Sequence, residues 1–209
     1  MTLLRKVYIR LKKFLYRKNF SYLSIHAAVG KDGCGKGCKI VGAEKIKIDD
    51  EAYIEEGTEI IALNNHANMG INAEIIIGKN TRIHSRTRIT AAGSVTIGNN
   101  VLIAPEVFIT DHNHGMNPEI KEGYAKQELV VKPVRIGDGT WIGQRVCILP
   151  GVTVGKHCII GAGSVCTRSI PDYCIAVGVP AQVIKRWDTS EKQWRSIVET
   201  TGKLVKCNK

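Results

Sequence analysis

The chain has 209 residues, 44% of them apolar, with 30 Lys and Arg against 19 Asp and Glu and a net charge of +11. That length fits one domain with its own core. The charge is lopsided, +7 over residues 1–18 and +4 over 182–209 with none net between, which excludes a uniformly basic nucleic-acid binder. Seven Cys, an odd number without paired metal-ligand spacing, read mostly as reduced core thiols of a cytosolic protein.

Residues 1–20 open the chain as an amphipathic basic helix. Leu3, Leu4, Val7, Tyr8, Leu11, Phe14 and Leu15 recur at i, i+3, i+4 spacing, and Arg5, Lys6, Arg10, Lys12, Lys13, Arg17 and Lys18 occupy the rest of the wheel. Charges break the apolar run too often for a signal-peptide core or a span of about 20 apolar residues. Two uses remain. The apolar face covers an open solenoid end or a neighbouring subunit, the favoured reading, or it rests on an anionic membrane surface. Further on, Cys34-x-x-x-Cys38 in a Gly-rich stretch makes half a metal site at most, and no second half is visible.

Residues 21–186 carry a six-residue period. Ile48, Ile54 and Ile60 start it weakly, and residues 62–74 interrupt it. Ile77, Ile83 and Ile89 resume it, then Ile97, Ile103 and Ile109 after two extra residues. Ile136, Ile142, Ile148, Val154, Ile160 and Cys166 hold it without a slip. Neither the 3.6-residue helical period nor the 2-residue strand period explains this. A flat strand, a tight corner and a small residue near the fifth place do, with three hexads to a triangular coil of 18 residues. Coils stacked about 4.8 Å apart bury one apolar column per face, so the fold class is all-β, a parallel β-helix.

The longest break in the period lies between Ile109 and Ile136, with its loop at about residues 115–135. Long loops in compact domains are often functional. This one opens on Thr110-Asp-His-Asn-His-Gly115. An imidazole, with an unperturbed pKa of about 6.5, suits a general base at neutral pH. Asp111 is a candidate to hold its second ring nitrogen. The residues alone leave a second reading, a polar turn closed by local side-chain hydrogen bonds. His84, second in its hexad and one coil earlier, is expected on the same wall as His114. Arg82, Arg86 and Arg88 around it form either a patch for an anionic or hydroxyl-rich ligand or a solvated face. His26, His66 and His157 have no comparable context. At the end of the chain, Ser190-Glu-Lys-Gln193 fits a helix capping box, and Trp194, Ile197 and Val198 follow at helical spacing, so residues 187–209 are expected to be a helical tail.

Residues about 75–186 resemble the hexapeptide-repeat acyltransferases, and within them the maltose and galactoside O-acetyltransferases and the acetyltransferases that decorate bacterial polysaccharides. The likeness rests on Ile97-Gly-Asn-Asn-Val-Leu-Ile-Ala-Pro105, Asp111-His-Asn-His-Gly115, Ile136-Gly-Asp-Gly-Thr-Trp-Ile-Gly143, Ile148-Leu-Pro-Gly-Val-Thr-Val-Gly155, Ile160-Gly-Ala-Gly-Ser164 and Gly178-Val-Pro-Ala181. Hexads alone carry only the fold; the histidine turn together with Trp-Ile-Gly and Gly-Val-Pro-Ala is far more specific.

The resemblance implies a left-handed β-helix, an exception to the right-handed crossover rule, assembled as a homotrimer with active sites between subunits. It places His114 on the family's catalytic histidine and leaves His112 off it. His84 falls where these sugar acetyltransferases often have an Asn that touches the acceptor, and His84, Asp111 and Asn113 are the candidate substrate-binding residues. Coenzyme A contacts fall on Trp141, Gly143, Gln144, Ala162, Thr167, Arg168, Gln182 and Lys185, although the family pattern has Ser, Lys or Arg at several of these places. The implied reaction is acetyl transfer from acetyl-CoA to a hydroxyl of a sugar or glycan precursor, with backbone N–H groups near Gly143 and Gln144 facing the oxyanion and no metal required. The implied location is cytoplasmic, with peripheral contact at the inner membrane face if the N-terminal helix binds lipid. An N-acetyltransferase acting on a nucleotide-linked amino sugar uses the same base and thioester. A zinc-dependent hexapeptide-type carbonic anhydrase is the reading from another class, with His84, His112 and His114 as its tempting imidazoles; their spacing does not resemble that family's ligands.

Overall fold

The computed structural model describes residues 37–49, 51–67 and 69–197. Short parallel strands stack into three sheets that wrap one apolar interior. Face 1 is built from Lys39–Val41, Glu59–Ala62, Arg88–Ala91, Phe108–Thr110, Cys147–Ile148 and Val165–Cys166. Face 2 follows with Ile46–Ile48, Glu74–Ile77, Ser94–Ile97, Val134–Ile136 and Thr153–Val154. Face 3 holds Tyr53–Ile54, Arg82–Ile83, Leu102–Ile103, Trp141–Ile142, Ile159–Ile160 and Cys174–Gly178.

The six-residue period is the register of this stack. On face 2, Ile48 pairs with Ile77, Ile77 with Ile97, Ile97 with Ile136 and Ile136 with Val154. Ile54, Ile83, Ile103, Ile142 and Ile160 form the column of face 3, and Ile60, Ile89, Ile109, Ile148 and Cys166 that of face 1. All are buried. Each fully buried aliphatic side chain stabilises the fold by about 1.5–3 kcal/mol. The fifth hexad place also points inward, and where it is hydroxylic the hydroxyl bridges coils: Thr140 Oγ1 donates to the Gly155 carbonyl at 2.7 Å and accepts the Cys158 N–H at 3.1 Å. Burial, above all, pushes the Cys158 and Cys166 thiols up to about 11, as inert core groups.

Every break in the period falls at one corner, between face 1 and face 2. After Glu59–Ala62 the chain leaves as a small hairpin, Asn65–His66 against Met69–Gly70. One coil later the corner is widened by Ala92 and Gly93. On the next coil the long excursion leaves after Phe108–Thr110 and returns at Val134–Ile136, carrying the antiparallel pair His112–His114 and Leu129–Val131. The excursion therefore begins at residue 111, earlier than the loop bounds expected from sequence.

The expected C-terminal helix is corrected over the described residues. Ala181–Asp188 folds back antiparallel on Cys174–Gly178, and Gln193–Ser196 pairs antiparallel with it in turn. Asp188 is the cause. Its carboxylate accepts the N–H and Oγ–H of Ser190 and the N–H of Glu191, which hold its pKa down to about 2. Ser190 is thus a donor into a tight turn and has no hydroxyl left to cap a helix. Trp194 then meets Trp187 edge to face at 5.3 Å. The helical elements among the described residues are two single 3-10 turns, Ala43–Lys45 and Tyr124–Lys126. The expected N-terminal helix and Cys34 lie outside the described residues.

Candidate active site

The corner between faces 1 and 2 gathers the polar chemistry. Asp111, the first residue of the excursion, is fully buried. Its Oδ1 accepts the Ala92 N–H at 2.8 Å and its Oδ2 the Gly93 N–H at 2.7 Å, so the carboxylate fills the corner that the two extra residues widen. His112 Nδ1 donates to Oδ1 at 2.8 Å. Burial is the largest single influence on this carboxyl and raises its pKa. The hydrogen bonds from His112, Ala92 and Gly93 together outweigh it and hold the group below its ordinary value. Gly93 is required here because a Cβ would sit 2.5 Å from Val131 Cγ1 and 3.3 Å from Asp111 Oδ2.

The excursion is tied down at both ends. The Lys132 N–H donates to the Asp111 carbonyl at 2.7 Å, and the Lys132 carbonyl accepts the Gly151 N–H of the next coil at 2.9 Å. Pinned in this way, the hairpin presents Asn113 and His114 exposed, opposite Val130 and Leu129. It continues one step further through the Gly115 N–H bond to the Glu128 carbonyl at 2.9 Å. Gln127, nearly buried, clamps the loop: its amide donates to the Asn117 carbonyl at 2.8 Å and accepts the Asn117 N–H at 3.0 Å.

Two expected relations change. Asp111 serves His112 and the widened corner, not His114, and its burial leaves it no face toward a substrate. His84 does not share a wall with His114. It stands at the corner between faces 3 and 1, where Nδ1 meets Glu55 Oε1 at 3.0 Å and Glu55 Oε2 accepts the Ser85 N–H at 3.0 Å. One chain therefore does not bring His84, His112 and His114 together. The arginine patch is likewise reduced, since Arg86 pairs with Glu106 at 2.7 Å and Arg88 with Glu59 at 3.5 Å.

The ring that does meet His114 is one that sequence reasoning passes over. His66, on the small hairpin, lies 5.1 Å from His114 between centroids, at 55°. Its Nε2 donates to the Gln127 carbonyl at 2.9 Å. The signal for it is in the phase of the breaks: both excursions follow the third hexad of a coil, after Ile60 and after Ile109, so both leave from one corner.

The expected coenzyme A residues divide between places. Gly143, Gln144 and Ala162 line the corner between faces 3 and 1, beside the outward, 48% exposed Trp141 of face 3. Thr167 and Arg168 are exposed at the His114 corner, after Val165–Cys166. Gln182 and Lys185 are exposed on Ala181–Asp188. The Gly143 N–H is not free for an oxyanion, because it donates to the Ile160 carbonyl at 2.8 Å. A Cβ there would meet the Ala162 nitrogen and the Ile160 oxygen at 2.7 Å.

Comparison with known proteins agrees with this architecture. Residues 133–168 match the family described as bacterial transferase hexapeptide (six repeats). The galactoside O-acetyltransferase of Escherichia coli K12 is 38% identical over 122 residues, 58% of this chain and 59% of that protein. WbbJ of the same organism, provisionally assigned as a lipopolysaccharide-biosynthesis O-acetyl transferase, is 38% identical over 128 residues, 57% of this chain and 64% of its own length. The chain thus spans about three fifths of these curated relatives. A galactoside acetyltransferase solved in complex with coenzyme A superimposes with a TM-score of 0.59 at 30% identity, covering 88% of this chain and 82% of the other. AntD of Bacillus cereus, an N-acyltransferase solved with dTDP and 3-hydroxybutyryl-CoA, shares the fold at 21% identity, with a TM-score of 0.65 over 85% of this chain and 90% of its own.

Proposed function

Because this chain belongs to the hexapeptide-repeat acyltransferases, we propose that it transfers an acetyl group from acetyl-CoA to a hydroxyl of a sugar or glycan precursor, with His114 as general base. The observation that carries the reading is the exposed His114 imidazole on a hairpin whose entry residue, Asp111, is anchored in the widened corner by its own buried carboxylate. A base must be held within reach of its proton yet stay open to the acceptor, and this arrangement does both. The neighbouring CoA-bound galactoside acetyltransferase supports the donor, and the two curated O-acetyltransferases support the acceptor class.

In the proposed reaction the His114 imidazole takes the hydroxyl proton as the oxygen attacks the thioester carbonyl. The tetrahedral intermediate collapses to ester, and the thiolate of coenzyme A leaves with a proton returned from the imidazolium. Of the two backbone donors, the Gln144 N–H is the one assigned to the oxyanion in this scheme, since that of Gly143 is committed to the coil ladder. Arg168 and Lys185 are the cations for the phosphates, and Trp141 offers its exposed indole to the pantetheine arm. His114 and the Gln144–Ala162 column occupy different corners of the prism with face 1 between them. That division supports the proposed homotrimer, in which one subunit's base works on the thioester held along its neighbour; the left hand of each β-helix is proposed on the family likeness. The reading sets the protein in the cytoplasm, with residues 1–20 either packed on a subunit or resting on the inner membrane face.

A second reading has a specific observation behind it. His112, with Nδ1 held by a buried carboxylate, has the orientation that supports an imidazolium during proton transfer. Steady-state turnover of acetyl-CoA across a panel of sugars, glycan precursors and amino sugars, followed with a thiol reagent, separates these readings. His114→Ala is expected to lower kcat by about 10²–10⁴-fold at unchanged assembly mass, whereas His112→Ala should lose far less. The reverse order assigns the base to His112, and turnover only with amines makes the protein an N-acetyltransferase.

A further inference from the structure

We infer that His66 is a positioning residue for His114, and that the first excursion serves as the buttress of the second. The inference rests on the reading of His114 as the base. The two excursions leave the same corner two coils apart, with the widened Ala92–Gly93 corner between them. The small hairpin is itself held from below: Lys45 Nζ donates to the Ile71 carbonyl at 2.6 Å and to the Leu63 carbonyl at 3.4 Å, and the Ile71 N–H closes on the Asn64 carbonyl at 2.9 Å. Ala67 accepts φ 48° at its tip, a left-handed conformation uncommon for a residue with a Cβ. This hairpin carries His66 across the widened corner to the Gln127 carbonyl.

A carbonyl oxygen only accepts, so the 2.9 Å contact puts the His66 proton on Nε2 and fixes the ring plane. The fixed ring then bears on His114 in a tilted contact, 5.1 Å between centroids at 55°, within the centroid range of interacting aromatic pairs. Gln127 makes the arrangement reciprocal. Its side chain clamps Asn117, its carbonyl orients His66, and its backbone lies beside the closing step of the hairpin that bears His114. Exposed His114 has its ring braced on one side by a group from another part of the chain, with its other side open to an acceptor. His66 touches neither donor nor acceptor in this scheme; it acts through the ring it supports.

The test uses the full chain with His66→Ala, His66→Phe and His66→Gln, beside His114→Ala. Phe keeps a ring against His114 without the proton donor, and Gln keeps a donor for Gln127 without the ring. With acetyl-CoA and a galactoside as probe, His66→Ala should lower kcat on the order of ten- to a hundred-fold with KM for acetyl-CoA unchanged, and Phe should restore more than Gln. Independently of turnover, the ring signals of His114 in ¹⁵N-histidine protein, assigned by their loss in His114→Ala, should shift in His66→Ala and return toward wild type in His66→Phe. In the wild type the His66 ring should show the proton on Nε2. Unmoved His114 signals and wild-type kcat in His66→Ala overturn the inference. Retained turnover in His114→Ala overturns the base assignment alone, and the ring signals still decide whether His66 braces that side chain.

Discussion

The coils from Ile136 to Cys166 and the corner that carries the two excursions are built on opposite principles. In the coils, one branched or thiol side chain per face stacks on its equivalent in the next coil, and glycines such as Gly143 let backbones approach. Specification is local and repeated, so each hexad says the same thing. At the corner between faces 1 and 2 nothing repeats. A hairpin, a two-residue widening and a long loop are joined by bonds between residues far apart in sequence: Asp111 to Ala92 and Gly93, His66 to Gln127, Lys45 to Ile71. A solenoid carries a working site where its rhythm stops, because only there can side chains from different coils converge.

The largest way to break the contrast is to hollow a column. Ile142→Ala should destabilise the protein by about 2–5 kcal/mol, the cost of a buried cavity, read as a shifted denaturant midpoint. Any kinetic effect should follow the loss of folded protein. Gly143→Ala comes next, since its Cβ would press on fixed backbone at 2.7 Å; about 1–3 kcal/mol is expected, with coil spacing disturbed beside the proposed donor groove.

Asp111→Ala should show the opposite balance. It orphans the buried Ala92 N–H, worth about 1–3 kcal/mol when left unpaired, and the part-buried Gly93 N–H, and it releases the hairpin, so turnover should fall more than the midpoint does. Acid sharpens this. The folded pKa of Asp111 lies below its unfolded value of about 3.9. Its stabilisation is therefore complete above about pH 4 and is lost as pH falls through the lower folded value. Acid unfolding of Asp111→Asn should lack that contribution. The smallest effect is expected from Glu106→Gln. Its pKa is lowered first by the Arg145 bond and then by Arg86, but the cluster is solvent-exposed. The midpoint should stay unmoved in ordinary salt.

The same contrast divides what is legible in the amino-acid sequence from what is not. The hexad columns, their register and the weak first coil at Ile48, Ile54 and Ile60 are legible because a period is a local property. His84 is misplaced by phase: it follows the second hexad of its coil and His114 follows the third, which sends them to different corners. For His66 the phase of the breaks gives only the corner it leaves from; its role is not legible, because its partner lies 61 residues away and no motif surrounds it. Asp111 reads as a neighbour of the base because sequence shows only that it is close, not that the two residues inserted before Ser94 claim its carboxylate. At the C-terminus, Ser190 fits a capping box as well as it fits the Asp188 turn, and pairing against Ala181–Asp188 decides between them.

The most direct test is a crystal structure of the protein with coenzyme A bound. The account predicts the thiol beside the His114 imidazole, within hydrogen-bond reach of an acceptor oxygen, and the rest of the molecule running along the Gln144 and Ala162 column of a neighbouring chain. A thiol seated at any corner remote from His114, or a complex in which that ring is buried away from a subunit boundary, would contradict it.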